Sequence, residues 1–322
     1  MEPILEIRDL SVEFATSRGA VKALRHVDLT VPPGRIVGVV GESGCGKTTL
    51  ASTVLGLLAS NARISSGSIR FEGTERLGLP AARLRDIRGR RIAMVFQDPM
   101  TSLNPVKSIE TQMIDIQYRD RAPRQVKRER AIAMLRKVGI ADPEHRIHDY
   151  PHRFSGGMRQ RISIAMALSM TPSLLIADEP TTALDVTLEA QIVHLVRRLR
   201  AEFQGSILFI SHNLGLIAEV CDEVVVMYAG EVVEQAEVRT LFHDARHPYT
   251  RLLLACDPAR IEQSSRTLPT IAGNIPDLAD LPVGCVFASR CPEAFDRCRG
   301  EAPPAYEIGP GHRVRCFLVA RG

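Results

Sequence analysis

What the chain lacks narrows its class before any motif is read. Across its 322 residues no uninterrupted apolar run approaches the roughly 20 needed to span a bilayer, which argues against a polytopic membrane protein. Neither sign of charge dominates. There are 41 Lys and Arg against 37 Asp and Glu, and a formal surplus of +4 is too small by itself to point to nucleic acid or an anionic membrane. A secretory leader is not expected, because Glu2, Glu6, Asp9 and Glu13 stand where such a leader needs a basic head and an apolar stretch. Internal repeats, low-complexity tracts and heptads long enough for a coiled coil are all missing. Hydrophobic content of 45% with 24% charged residues is ordinary for a globular protein and disfavours a disordered or collagenous chain. At about 150 residues per domain, the length suggests two domains or one with an appendage. Cysteine is the exception to this ordinary composition: four of the seven (Cys285, Cys291, Cys298, Cys316) fall in the last 38 residues. In a chain that is not exported, such a cluster points to metal or redox chemistry more than to a disulfide framework.

Strand-like and helix-like text alternates along most of the chain. Residues 5–14 and 26–31 alternate apolar and polar positions as half-buried strands do, and the continuous apolar run at 35–41 reads as a buried strand. Helical spacing follows at 47–58, a glycine-rich turn at 65–68 leads into the strand-like SIRF, and basic helical segments lie at 81–91 and 119–138. The second basic segment reads as a solvated helical face with Ile132, Leu135 and Val138 turned inward, rather than as an anion site. Three more strands are expected at 174–180, 206–212 and 223–234, with a helix at 187–203. This alternation predicts an open, mostly parallel α/β sheet. From residue 256 onward Pro, Gly and Cys become frequent and helical periodicity ends, which predicts a small irregular module. The expected division is therefore 1–255 and 256–322.

Gly41-Glu42-Ser43-Gly44-Cys45-Gly46-Lys47-Thr48 matches the phosphate-loop pattern G-x-x-x-x-G-K-[ST] and lies between a buried strand and a helix, where that loop belongs. Its glycines let backbone N–H groups cradle phosphate oxygens, and the helix N-terminus adds partial positive charge. Lys47 is expected to reach the β and γ phosphates, and the Thr48 hydroxyl to ligate Mg²⁺. The run Leu174–Ala177 ends in Asp178 and Glu179, acids at the carboxyl end of a strand, the edge at which open α/β sheets bind ligands. Asp178 is expected to hold Mg²⁺ and Glu179 to polarise the attacking water. An acid pair after a strand also suits a helix cap or a solvated loop, but beside a phosphate loop the catalytic reading is favoured.

A phosphate loop alone leaves several nucleotide enzymes open. The discriminating text is Phe154-Ser155-Gly156-Gly157-Met158-Arg159-Gln160-Arg161, which resembles the LSGGQ signature of ATP-binding-cassette (ABC) ATPases, with Phe154 and Met158 as departures. A serine and two glycines at a helix start form a further anion-binding terminus, and they equally suit a plain N-cap. The resemblance implies a RecA-like ABC nucleotide-binding domain with a helical signature subdomain, followed by the small irregular Cys-rich extension. It implies a Q-loop glutamine at Gln97, which contacts Mg²⁺ and water, a D-loop at Ala183-Leu184-Asp185, and a switch histidine at His212. Phe14 takes the place of the aromatic residue that stacks on adenine, although it also reads as strand core. The implied ATP set is Phe14 with Gly41, Ser43, Gly44, Cys45, Gly46, Lys47, Thr48 and Thr49. The implied Mg²⁺ ligands are Thr48, Gln97 and Asp178. In this family two cassettes pair head to tail, so Ser155, Gly156, Gly157 and Asp185 would serve the nucleotide of the other subunit.

The strings QDPMTSLNP, FSGGMRQR, IADEPTTALDVT and HPYT resemble the D-type ATPase subunits of dipeptide and oligopeptide ABC importers along nearly the whole chain. That resemblance implies ATP hydrolysis at the cytoplasmic face of the inner membrane, with two transmembrane permease subunits, a periplasmic solute-binding protein and a second, different ATPase subunit as partners, and no nucleic acid. Importers of nickel complexes or opine-like solutes remain an alternative, as does, further off, a cassette ATPase outside transport. DNA-associated cassettes need a long coiled-coil insertion between the phosphate loop and the signature, which is missing here. GTPases need an N-K-x-D motif, also missing. The extension of the importer subunits reads here as Gly284-Cys285-Val286-Phe287-Ala288-Ser289-Arg290-Cys291-Pro292, completed by Cys298 and Cys316. Zinc sites usually use tighter pairs, and the wide spacing suits an all-Cys [4Fe–4S] cluster at least as well. The resemblance favours the cluster, with Zn²⁺, and free thiols or disulfides, as the alternatives. Cys45, Cys221 and Cys256 read as ordinary small residues.

Overall fold

The computed structural model describes residues 2–98, 102–181, 186–200, 203–257 and 269–320, without the side chains of 186–188 and 199. It divides into two compact units, 1–78 with 209–322, and 79–208. The first unit opens with β1 (Leu5–Thr16), β2 (Gly19–Val31), β3 (Ile36–Val40), α1 (Lys47–Leu55), β4 (Ala62–Phe71) and β5 (Thr74–Glu75). The second holds α2 (Ala81–Ile87), β6 (Ile92–Val95), α3 (Ile109–Asp115), α4 (Arg124–Lys137), α5 (Pro143–Arg146), α6 (Gly156–Leu168), β7 (Leu174–Asp178) and α7 (Val186–Arg200). Strand β8 (Ser206–Ile210) carries the chain back into the first unit, which continues with α8 (Leu214–Val220), β9 (Glu223–Tyr228), β10 (Glu231–Glu237), α9 (Val238–Asp244), α10 (Pro248–Ala255), α11 (Asp296–Gly300), β11 (Tyr306–Gly309) and β12 (His312–Val314).

In the first unit β2, β1, β4 and β5 form an antiparallel sheet in that order. Strand β2 starts at Gly19, earlier than its alternation suggests, because its first residues pair back on the end of β1 in the registers Phe14↔Val21 and Thr16↔Gly19. The five residues of β3 are all buried, as its unbroken apolar run requires, and it lies parallel to β9. A Cβ on Gly38 would sit 2.9 Å from Ile217 and 3.0 Å from Cys221 Sγ, so this glycine allows α8 to close on the strand.

Two expectations are corrected here. The stretch 223–234 is not one strand: Ala229 and Gly230 both take positive φ, 46° and 85°, and turn the chain into the β9–β10 hairpin with Tyr228 opposite Glu231. Positive φ at both central residues fits the type I′ turn that matches strand twist. Nor is the C-terminal segment wholly irregular: β11 and β12 form a second hairpin, and β12 pairs antiparallel with β10 through Glu234↔Val314 and Gln235↔Arg313. The sheet is therefore less parallel than the text suggests.

In the second unit β6 and β7 are parallel neighbours in the register Val95↔Ala177. Helix α4 begins at 124 rather than 119, because the Asp120 carboxylate accepts the Ala122 N–H at 2.9 Å in a turn that precedes Pro123. Its Ala131 and Leu135 are buried, and Arg124, Arg130 and Arg136 pair with Glu110, Asp120 and Glu144, which agrees with a solvated basic face. Helix α3 is not expected from the sequence pattern, yet Ser108 marks its start by accepting the Thr111 N–H.

One buried acid ties the C-terminal hairpin to the segment before α10. Glu234 is fully buried, and its carboxylate accepts the Arg246 N–H at 2.7 Å, the His247 N–H at 3.0 Å and His312 Nε2–H at 2.9 Å. Glu234→Ala strands three donors, two of them buried, and is expected to lower unfolding free energy by about 3–5 kcal/mol. Urea titration checks this, and a loss under about 1 kcal/mol would show that the hairpin is held elsewhere.

Candidate nucleotide site and cysteine pocket

The phosphate loop is built in the first unit, between β3 and α1. At Gly41, with φ 153°, a Cβ would stand 2.2 Å from the Met227 carbonyl oxygen and 2.7 Å from Cys45 Sγ, so nothing larger than glycine fits. The hairpin turn supports the other end, where the Gly230 N–H donates to the Cys45 carbonyl at 3.0 Å. Lys47 is buried, and its Nζ donates to the carbonyl oxygens of Gly41 at 2.8 Å and Glu42 at 3.2 Å. Ser43, Gly44 and Thr48 are exposed, Gly46 and Thr49 half-buried, and Cys45 buried. Burial raises the Cys45 thiol pKa, which keeps it a neutral packing group, as expected. Phe14 lies half-buried on β1 opposite Val21 and Ala62. His212 is exposed just after β8, between Ser211, whose Oγ accepts the Asn213 N–H at 3.0 Å, and Asn213, which caps α8.

The acid half lies in the second unit. Val95 of β6 faces Ala177 of β7, so Gln97 and Glu179, each two residues further on, leave the strands side by side. Gln97 Nε2 donates to Glu179 Oε2 at 2.9 Å. Asp178 closes β7 with 2% of its surface exposed, whereas Glu179 is half-buried at φ 45°, a left-handed backbone that costs a residue with a Cβ on the order of 1 kcal/mol. The residues expected to hold Mg²⁺ thus divide between the units, Thr48 in the first and Gln97 and Asp178 in the second.

Ser155 is the N-cap of α6 and accepts the Met158 N–H at 3.4 Å, so the plain capping role is met. Gly156 and Gly157 form the first turn of that helix. The departures Phe154 and Met158 share one neighbour that the motif does not contain: the Arg146 guanidinium lies 4.7 Å over the Phe154 ring and 3.8 Å from Met158 Sδ. Nothing local in the text around Arg146 signals this. Asp185 and the rest of the expected D-loop lie outside the described residues.

Two family models match the chain, "ABC transporter" over residues 24–182 and "Oligopeptide/dipeptide transporter, C-terminal region" over 233–298. The oligopeptide transport ATP-binding protein OppD of Salmonella typhimurium is 45% identical over 98% of this chain and 93% of its own length. The chain belongs to the ATP-binding subunits of peptide-type ABC transporters. A Sinorhizobium fredii protein named "Probable peptide ABC transporter ATP-binding protein y4tR" is 48% identical over 98% of this chain and 94% of its own. The dimeric ATP-binding cassette MJ0796 bound to ADP and Pi shares the fold with a TM-score of 0.65 and 24% identity over 73% of this chain and 99% of that one. The activity of the subunit is ATP hydrolysis coupled to transport.

In this ABC subunit the four late cysteines line one pocket, together with His247, Phe287 and Phe317. None is in a disulfide. Burial pushes the thiol of Cys285 up to about 12 and that of Cys316 up to about 11, and raises that of Cys291. Burial also holds His247 down to about 3, so its neutral ring accepts the Tyr249 N–H at Nδ1, 3.0 Å away. Among the described residues no group of three or more His, Cys, Asp or Glu gathers closely enough for a single metal ion. No sequence pattern singles out Arg290, beside Cys291, yet its guanidinium reaches Glu42 of the phosphate loop.

Gly41→Ala tests the loop: the added methyl meets the Met227 carbonyl, and ATP affinity in the ABC subunit is expected to fall at least about tenfold. Titration with a fluorescent ATP analogue measures it, and an unchanged affinity would show that the loop tolerates a side chain there.

Proposed function

We propose that this chain is the ATP-hydrolysing subunit of an importer for peptide-class solutes, peripheral on the cytoplasmic side of the inner membrane, with 1–255 as the ATPase domain and 256–322 as the extension. The observation that carries the catalytic reading is the Gln97–Glu179 hydrogen bond. It orients the carboxylate that accepts a proton from water, as the water oxygen bonds to Pγ and the Pγ bond to the bridging oxygen breaks, releasing ADP and phosphate. Lys47, Thr48, Thr49 and the N–H groups of Gly41, Ser43, Gly44, Cys45 and Gly46 hold the phosphates, Phe14 stacks on adenine and His212 reaches the γ phosphate. The oxygens of Thr48, Asp178 and Gln97 are hard donors that suit Mg²⁺, and the Gln97 amide keeps its oxygen for that role while its nitrogen serves Glu179. Bound Mg²⁺ would neutralise phosphate charge.

The dimeric state named for MJ0796 supports pairing with a second cassette, in which Ser155, Gly156, Gly157 and Asp185 serve the nucleotide of the partner. The names of the relatives support peptide cargo, delivered through two permease subunits by a solute-binding protein, and the family pattern favours a different chain as the second ATPase. Glu179→Gln is expected to abolish steady-state hydrolysis while ATP still binds, and near-normal turnover would take Glu179 out of the proton-accepting role.

The family resemblance favours a [4Fe–4S] cluster, with Zn²⁺ as the alternative, and the four thiols that line one pocket are the residues that would hold either. The present cavity is about 10 Å³, about the room of one water, so a cluster enters only as the thiol side chains turn. Such a group would cross-link Cys285, Cys291, Cys298 and Cys316 in a segment with little core of its own. Anaerobically purified protein is expected to contain iron and acid-labile sulfide in comparable amounts; zinc alone, or no metal, removes the cluster.

A further inference from the structure

We infer that Arg290 is a positioning residue for ATP binding: it neutralises Glu42, the one carboxylate within the phosphate loop, and keeps the Lys47 ammonium directed to phosphate. The inference rests on that loop being the ATP site.

All five donors of the Arg290 guanidinium are engaged. Nη1 and Nη2 fork onto Oε2 and Oε1 of Glu42 at 2.8 and 3.0 Å. Nη1 also donates to the Tyr228 hydroxyl at 3.2 Å, Nη2 to the Ile271 carbonyl at 3.1 Å and Nε to the Ala272 carbonyl at 2.9 Å. The side chain is only 3% exposed. No donor is left for a nucleotide, since a guanidinium has five N–H groups, so Arg290 acts through Glu42 and not on the ligand.

Glu42 is gripped at three points. Its carboxylate is held by Arg290, its N–H donates to the Tyr249 hydroxyl at 2.9 Å, and its carbonyl oxygen accepts Lys47 Nζ at 3.2 Å. A carboxylate in a loop that receives a polyphosphate is repulsive unless it is paired. Without Arg290 that carboxylate would compete with the nucleotide for the Lys47 ammonium, which already rests on the carbonyl of the same residue. The fork removes this competition and fixes the loop, the two gains that a bidentate arginine provides and a point charge does not.

The sign of the effect separates this role from plain structural support. In the full-length chain, with affinity read by a fluorescent ATP analogue, Arg290→Met is expected to weaken binding at least about tenfold, less so at high salt. Glu42→Gln alone weakens it by less than about threefold, and the double variant returns to within about threefold of the wild type, because the unpaired charge is gone. Wild-type affinity in Arg290→Met overturns the inference. So does a double variant as weak as Arg290→Met, which would mean that Arg290 only holds the extension in place. Where Arg290→Met does not fold, Arg290→Lys and Arg290→Gln separate charge from packing: the Lys variant, which keeps the charge without the fork, should lose less affinity than the Gln variant, and equal affinities overturn the proposal. A wild-type chain that binds no ATP would strike the loop assignment itself, and this inference with it.

Discussion

The Lys47 ammonium has 5% of its residue surface exposed, and a buried cation costs several kcal/mol unless acceptors surround it. The carbonyl oxygens of Gly41 and Glu42 supply them, which forces the loop to curl over its own lysine. That curl brings Gly41 against the Met227 carbonyl, where no Cβ fits, and sets the Cys45 carbonyl within reach of the Gly230 N–H. The β9–β10 turn is thus part of the phosphate site. Its two positive-φ residues are spent on placing one N–H donor where the loop needs it.

The C-terminal segment buries only a small cluster of its own, Ala288, Cys298 and Phe317, and it borrows more from the rest of the first unit. Phe287 packs its ring 5.1 Å from Tyr228 and 5.3 Å from Tyr249, and those two tyrosines lie 4.6 Å apart. Buried tyrosines need partners for their hydroxyls. Tyr249 accepts the Glu42 N–H and Tyr228 accepts from Arg290. An apolar contact that fastens the extension therefore also places two polar groups around the phosphate loop. Binding chemistry and attachment use the same three rings.

Motifs carried by a continuous stretch were legible in the sequence. The buried strand β3, the loop after it, α1 and the acids ending β7 all follow from local patterning, because one backbone segment supplies every group. The Gln97–Glu179 contact was not legible, since it depends on which residues of β6 and β7 face each other, a register that neither strand states alone. The break at Ala229-Gly230 was missed because alanine is an unusual residue at positive φ. The pairing of β12 with β10 was missed because a three-residue strand in Pro- and Gly-rich text shows no period.

Arg146 and Arg290 share a logic that no motif pattern contains. Each lies far along the chain from the loop it supports, or on a different element, and each meets side chains through the planar face or fork of its guanidinium. Arg146 stacks on Phe154 and touches Met158, so the two departures of the signature from its usual text are packed against one cation. Arg290 pairs with Glu42, a variable position of the phosphate-loop pattern. In both loops the residues proposed to bind phosphate are, apart from Lys47, small side chains or backbone groups, and they cannot hold their own shape by packing. Side chains at the variable positions carry that burden, and an arginine outside the motif completes each of them, which ties the permitted sequence of the loop to a residue elsewhere in its own unit.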